Sequence, residues 1–256
     1  MSETLVDWRR TTGTVPQSKI ATDRVPRHDT DLASRLLEVP DTSSAVADAL
    51  DELGIGSVLG STGLAPLSDD SRVCGQAVTL RYIPLDADVT ANRNAGRGKV
   101  FGDRDLYGIG SPGDVAVMDC SGLQSGAVMG ALSAKWAVKA GIAGCIVDGS
   151  VRDSGSILAS DLPVWSAGRM PAAARYRYEI AEVNGPVVLR GNTVRPGDYI
   201  VADIDGVCIV PFEDMPRVVE YCEEAQRAEA TFVERIDAAS SLEKLIEGMT
   251  PGTAPA

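Results

Sequence analysis

Residues 112–148 constrain the fold more than any other stretch. "PGDVAVMD" (112–119) is a Pro-Gly turn feeding a short apolar strand, and "GCIVD" (144–148) is a second such strand. Between them, residues 124–140 are read as a helix that runs into Gly141. Two strands joined through one helix are predicted to be parallel neighbours, because the crossover brings the chain back in the same direction. The chain is therefore read as α/β, with a parallel or mixed sheet flanked by helices.

The remaining elements follow from local pattern. Residues 1–30 are polar and aperiodic, an arm expected to pack late or on a neighbour; 31–38 form a short helix. "PDTSSAVADALDELG" reads as a helix with Thr42 or Ser43 as N-cap and Gly54 as its stop. "RVCGQAVTLRYIP" reads as a strand with a bulge at Gly75, and the polar segment that follows as a functional loop with a helical piece. "LPVWSAG", "GPVVLRGNTV", "DYIVADIDG" and "VCIVP" are short strands, and 213–238 is an amphipathic helix rich in Glu and Arg. The motif P-G-D-x-x-V-x-D occurs twice, at 112–119 and 196–203, as two equivalent turns rather than a duplicated domain. The expected organisation is an arm over 1–40, an α/β domain over 41–248 and a flexible tail over 249–256.

Composition narrows function. The chain has 256 residues, 44% of them hydrophobic, enough for a sizeable core. Its net charge of −12 repels a phosphate backbone, so nucleic-acid binding is not expected, whereas a small anion held by local positive charge is compatible. The N-terminus carries no apolar signal core and no apolar run is long enough to span a membrane. Five cysteines without a C-x-x-C pair read as small buried hydrophobes and imply a reducing, cytoplasmic setting. His28 is the sole histidine, so a Ser-His-Asp triad or a histidine metal site is not expected; any metal would be held by oxygen, as Mg²⁺ or Mn²⁺.

The chemistry concentrates in "CIVDGSVRDSGSI" (145–157). A buried strand ends at a turn signal, Asp148-Gly149, and Arg152-Asp153 follows. At the carboxyl end of a parallel strand such side chains face the crevice where ligands bind. Arg152 offers a planar fork for a carboxylate. A helix starting near Gly130, Ala131 and Leu132 would present free N–H groups to the same anion, and Asp153 can hold a hard cation beside it. The simpler readings are that Arg152 and Asp153 form a surface pair, that Asp153 or Ser154 merely caps the next helix, and that Asp148 only forms the turn.

These residues, together with "SSAVADALDELG", "CGQAVTLR", "SPGDVAVMD", "AGIAGCIVDGSVRD", "LPVWSAG" and "VRPGDYIVADIDGVCIVP", resemble the RraA-like family over about residues 42–248. That family contains class II 4-hydroxy-4-methyl-2-oxoglutarate / 4-carboxy-4-hydroxy-2-oxoadipate aldolases and RraA-type ribonuclease regulators. The resemblance implies a layered sandwich like the swivelling phosphohistidine domain, assembled as a homotrimer or a dimer of trimers. It implies pyruvate bound by Arg152 and the backbone at Gly130, Ala131 and Leu132, and Mg²⁺ or Mn²⁺ on Asp153. It also implies an acidic side chain, matched here to Glu229, from a neighbouring subunit's C-terminal helix. Two positions depart from the aldolase pattern: Ala131 stands where an acid usually follows the loop glycine, and Ser156 where Arg-Asp-x-x-Glu/Asp ends.

The expected activity is metal-dependent cleavage of a 4-hydroxy-2-oxo acid, or decarboxylation of a related 2-oxo acid, releasing pyruvate through an enolate. The alternatives are a non-catalytic regulator acting by protein contact and a diverged lyase or hydrolase with another substrate. A Schiff-base route through Lys135 or Lys139 has no second feature to depress a lysine pKa.

Overall fold

A single curled sheet of ten strands organises the chain. The computed structural model describes residues 2–4, 6–23, 25–28, 31–247 and 249. In chain order its strands are β1 (Ser2–Thr4), β2 (Val25–Arg27), β3 (Ser57–Gly60), β4 (Ala65–Pro66), β5 (Val73–Pro84), β6 (Val115–Asp119), β7 (Ala127–Met129), β8 (Gly144–Val151), β9 (Val164–Arg169), β10 (Tyr178–Val183), β11 (Val187–Leu189), β12 (Asn192–Val194), β13 (Tyr199–Ala202) and β14 (Gly206–Val210). The helices are α1 (Leu32–Leu37), α2 (Thr42–Leu53), α3 (Val89–Asn94), α4 (Asp103–Ile109), α5 (Ala131–Ala140), α6 (Ser154–Leu158), α7 (Met215–Ala238) and α8 (Leu242–Ile246).

The sheet runs β3-β14-β13-β5-β6-β8-β9-β4, with β10 added to β5 and β7 to β8. Strands β5, β6, β8 and β9 are parallel; the β6–β8 pair is the one the strand–helix–strand reading predicts, and the flanking pairs are antiparallel. Side chains alternate between three cores. Ile146, Val117 and Trp165 meet Ile200, Val207 and Ile209 inside the curl, covered by the β11–β12 hairpin. On the outer face, Val147, Val151 and Met118 pack under α4 and α5, while Val201, Cys208 and Val210 pack under α1, α2 and α7. All five cysteines are free and buried, as their apolar settings predict.

Several local expectations are corrected. Residues 124–140 are not one helix: 127–129 form β7, because Ala127 exchanges backbone hydrogen bonds with Ala172 and Ala174, and only 131–140 are helical. Asp148-Gly149 is not a turn. β8 continues to Val151, carried past a register shift by pairing with β7 and β9. Gly75 marks no bulge but a close approach, since a Cβ there would meet the Gly113 carbonyl oxygen. The N-cap of α2 is Asp41; Thr42 and Ser43 are buried within its first turn. The segment after β5 holds two helices, and the second, α4, is buried. Described residues of the N-terminal segment pack on their own chain: Val15 and Ile20 join the core under α4 and α5, and Arg27 pairs with Asp114. His28 stacks on Phe212, its ring 4.0 Å away. Both Pro-Gly turns behave as read, with positive φ at Gly113 and Gly197. The tail from residue 250 onward lies outside the described residues.

Candidate active site at the ends of the parallel strands

Arg152 and Asp153 follow the last residue of β8 and project to the outer face, against the start of α5. The Arg152 amide donates to the Met129 carbonyl oxygen (3.0 Å), which ties this corner to the end of β7. Asp153 takes a left-handed backbone (φ 56°) that few residue types tolerate and that Asp adopts more readily than most. It stands at the N-cap of α6, yet its carboxylate makes no capping bond there. Instead Oδ2 accepts from the Ala131 amide (3.2 Å) at the N-terminus of α5. Arg152 Nε lies 3.6 Å from the same oxygen, too far for a hydrogen bond. The two side chains are 43% and 45% exposed, so the guanidinium fork is open to solvent.

Gly130 makes this arrangement fit. A Cβ there would sit 2.7 Å from Asp153 Oδ2 and 3.1 Å from Arg152 Cγ. The structure thus brings together Gly130, Ala131, Arg152 and Asp153. It alters one detail: the Ala131 amide is engaged by Asp153, and the next residue of the helix, Leu132, is exposed. Ser156 is exposed and points no carboxylate into the corner. Glu229 lies on the exposed outer part of α7, whose buried residues pack with α1 and α2. Among the described residues no hydrogen bond or ion pair joins it to Arg152 or Asp153. Lys135 and Lys139 are exposed on α5.

The chain belongs to the RraA-like family. The family model described as Aldolase/RraA matches residues 43–209. A protein of Halalkalibacterium halodurans named "Putative 4-hydroxy-4-methyl-2-oxoglutarate aldolase" is 32% identical over 196 residues, 77% of this chain and 84% of that protein. Protein DlpA of Legionella pneumophila is 31% identical over 205 residues, 80% of this chain but only 32% of DlpA, so the chain spans about a third of that relative. The crystal structure of Streptomyces coelicolor RraAS2, described as an unusual member of the RNase ES inhibitor RraA protein family, superposes with a TM-score of 0.67 at 26% identity. That match covers 80% of this chain and 97% of RraAS2. The α/β sandwich expected from the RraA-like motifs is therefore the fold of the molecule. No helix among the described residues is long and apolar enough to cross a membrane.

A second group of charged residues escaped the sequence reading. Asp119 ends β6 and pairs in register with Asp148 on β8. Arg190, in the β11–β12 turn, reaches over Asp148, Nε to Oδ1 2.8 Å. Burial pushes the Asp148 carboxyl above the ordinary carboxylate range, against the lowering effect of Arg190, and neighbouring Asp119 pushes the same way as burial. The signal available in sequence was the closing Asp of the repeated motif. Asp119 and Asp203 occupy that position in the two copies, and both are buried.

Proposed function

We propose that this RraA-like chain is a divalent-metal-dependent carbon–carbon lyase, an aldolase or decarboxylase, that acts on a 4-hydroxy-2-oxo acid or a related 2-oxo acid and releases pyruvate. The observation that carries the reading is the corner where Gly130 lets Arg152 and Asp153 lie side by side at the N-terminus of α5.

Arg152 binds the substrate carboxylate through its open fork, and the Leu132 amide and the positive end of α5 favour the same charge. Asp153 is the residue that would hold Mg²⁺ or Mn²⁺. It fits: its carboxylate is not spent on capping α6, a half-exposed single carboxylate suits a cation that keeps most of its waters, and a glycine leaves room beside Oδ2. When bound, the cation supplies positive charge that draws electrons toward the 2-oxo group. In the cleavage the C3–C4 bond breaks, its electrons move into the pyruvate enolate, and C4 becomes a carbonyl as its hydroxyl loses a proton. The enolate then takes a proton on C3. Arg152 offsets the charge that grows on the pyruvate half. Glu229 of a neighbouring copy is assigned the orienting of the water that takes the hydroxyl proton, in a homotrimer or a dimer of trimers. The exposed Leu132 and Trp136, one turn apart on α5, favour such an assembly, since an apolar strip beside a site marks an interface. Ala131 and Ser156 thin the acidic surround, and losses of that kind lower activity by about 10–100-fold.

The same strip favours a second reading, a regulator that acts through protein contact, in keeping with the description printed for RraAS2. Pyruvate release from a panel of 4-hydroxy-2-oxo acids and oxaloacetate, with Mg²⁺ and with EDTA, separates the two. Metal-dependent pyruvate formation supports the lyase; none from any substrate supports the regulator. Light scattering that finds a monomer at micromolar concentration removes Glu229 from the site.

A further inference from the structure

A small cavity lies where the N-terminal arm crosses the start of β6, at the opposite end of the parallel strands from Arg152. Its volume is about 10 Å³, and its lining includes Val25 and Arg27 of the arm, Val78 of β5, Ile109 of α4, Asp114 and Asn184. Two of these side chains hold a buried polar atom that no protein group meets. Asn184 is only 3% exposed. Its Nδ2 donates to the Ala21 carbonyl oxygen (3.2 Å), and this bond fixes which way the amide faces. Its Oδ1 is buried and accepts from no protein donor. On Arg27, Nη1 donates to Asp114 Oδ1 and to Gln76 Oε1 (3.2 Å), and Nη2 donates to Asp114 Oδ2 (2.8 Å). Its Nε is buried and finds no protein acceptor. One wall of the cavity thus holds an unmet charged donor and another an unmet acceptor, and buried groups of either kind almost always have a protein or water partner.

We propose that this cavity is the binding site of one ordered water, which accepts from Arg27 Nε and donates to Asn184 Oδ1. The volume admits one water and nothing larger. The partners select water as well: a cation would be repelled by the guanidinium, an anion by the Asp114 carboxylate, and an apolar atom would leave both polar groups unmet. Asp114 can take the second O–H, since a carboxylate accepts about four hydrogen bonds. The water completes a seam. One end of arm segment 20–27 is fastened beside Asn184, where Ile20 bridges to Val183 and the Ala21 amide donates to the Val183 carbonyl oxygen (2.9 Å). The other end is fastened by the Arg27–Asp114 ion pair just before β6. The water joins these two fasteners, and none of its partners belongs to the Arg152 corner, so the proposal stands apart from the lyase reading.

The test uses the full wild-type chain. A high-resolution crystal structure is expected to show a water peak at hydrogen-bond distance, about 2.7–3.2 Å, from both Arg27 Nε and Asn184 Oδ1. In solution, the Arg27 Nε–H resonance of isotope-labelled protein is expected to give a cross-peak at the water frequency, with nuclear and rotating-frame Overhauser effects of opposite sign, the mark of contact rather than proton exchange. Arg27→Lys keeps a cation opposite Asp114 but removes Nε–H, so this cross-peak should vanish. Should the variant fail to fold, the wild-type crystal decides alone. The proposal is overturned by a cavity without density, by Arg27 Nε or Asn184 Oδ1 bonded directly to a protein atom, by an Arg27 Nε–H with no contact to water, or by a cross-peak that survives in folded Arg27→Lys.

Discussion

Asp148 and Asp153 lie five residues apart in "DGSVRD", yet they sit on opposite faces of the sheet in opposite environments. Asp148 is inside the curl, nearly solvent-free and raised in pKa by burial, with Arg190 across from it. Asp153 is on the outer face, half-exposed, with its carboxylate hydrogen-bonded to the Ala131 amide and beside the Arg152 guanidinium. The difference teaches where a sheet of this kind stores a charge and where it uses one. A carboxylate inside the curl must be neutralised before anything else can approach it, whereas one at the mouth of a helix N-terminus is held in place and remains reachable.

The outer corner depends on the absence of a side chain, so the largest expected effect comes from filling that space. Gly130→Ala is expected to push Arg152 and Asp153 out of position and reduce kcat/KM on the order of 10²-fold, as misplacement by about an ångström does. The clash falls on exposed side chains, so the melting temperature should hardly move. A large drop in melting temperature with unchanged kcat/KM would show Gly130 to be a folding residue alone.

Asp119 sharpens the comparison from the inner side. Both of its oxygens accept backbone N–H groups, and Asn can satisfy only one. Asp119→Asn is expected to cost about 1–3 kcal/mol in urea denaturation, the penalty of a buried donor left without a partner. Unchanged stability would mean that the Val188 amide finds water instead.

The smallest effect concerns Asp148. Its folded-state pKa is raised, so the folded protein holds this proton more tightly than the unfolded chain does. The ionised form therefore weakens the fold above the folded pKa, and that weakening is relieved as pH falls through it. Asp148→Asn should be no less stable than wild type at pH 7, and any gain should shrink on acidification toward about pH 4 as wild type takes up the proton. Thermal melts across that range check the sign. A mutant less stable at pH 7 than at pH 4, relative to wild type, would show that the Arg190 pair outweighs burial.

Much of this was legible in the sequence, for identifiable reasons. The parallel core of β6 and β8 followed from apolar runs bounded by Pro-Gly and Gly, and Arg152, Asp153 and Gly130 from their place at strand and helix ends. What escaped depends on contacts distant in sequence. Ala127 becomes a strand residue only because 172–174 lie beside it. Asp148-Gly149 has turn chemistry, but pairing on both sides of β8 overrides it. Arg190 stands 42 positions from Asp148 in an ordinary-looking turn, and no local pattern announces their meeting.

The central claim is that Arg152 is the carboxylate-binding residue of a pyruvate lyase. Calorimetric binding of oxalate, which mimics the pyruvate enolate, tests it most directly when wild type, Arg152→Lys and Arg152→Ala are compared in Mg²⁺. The account predicts binding to wild type, weaker binding to Arg152→Lys because the bidentate fork is lost, and a loss of about 10²–10³-fold for Arg152→Ala, the scale of one well-placed electrostatic donor. Oxalate bound by Arg152→Ala as tightly as by wild type would place the anion site elsewhere and contradict the account.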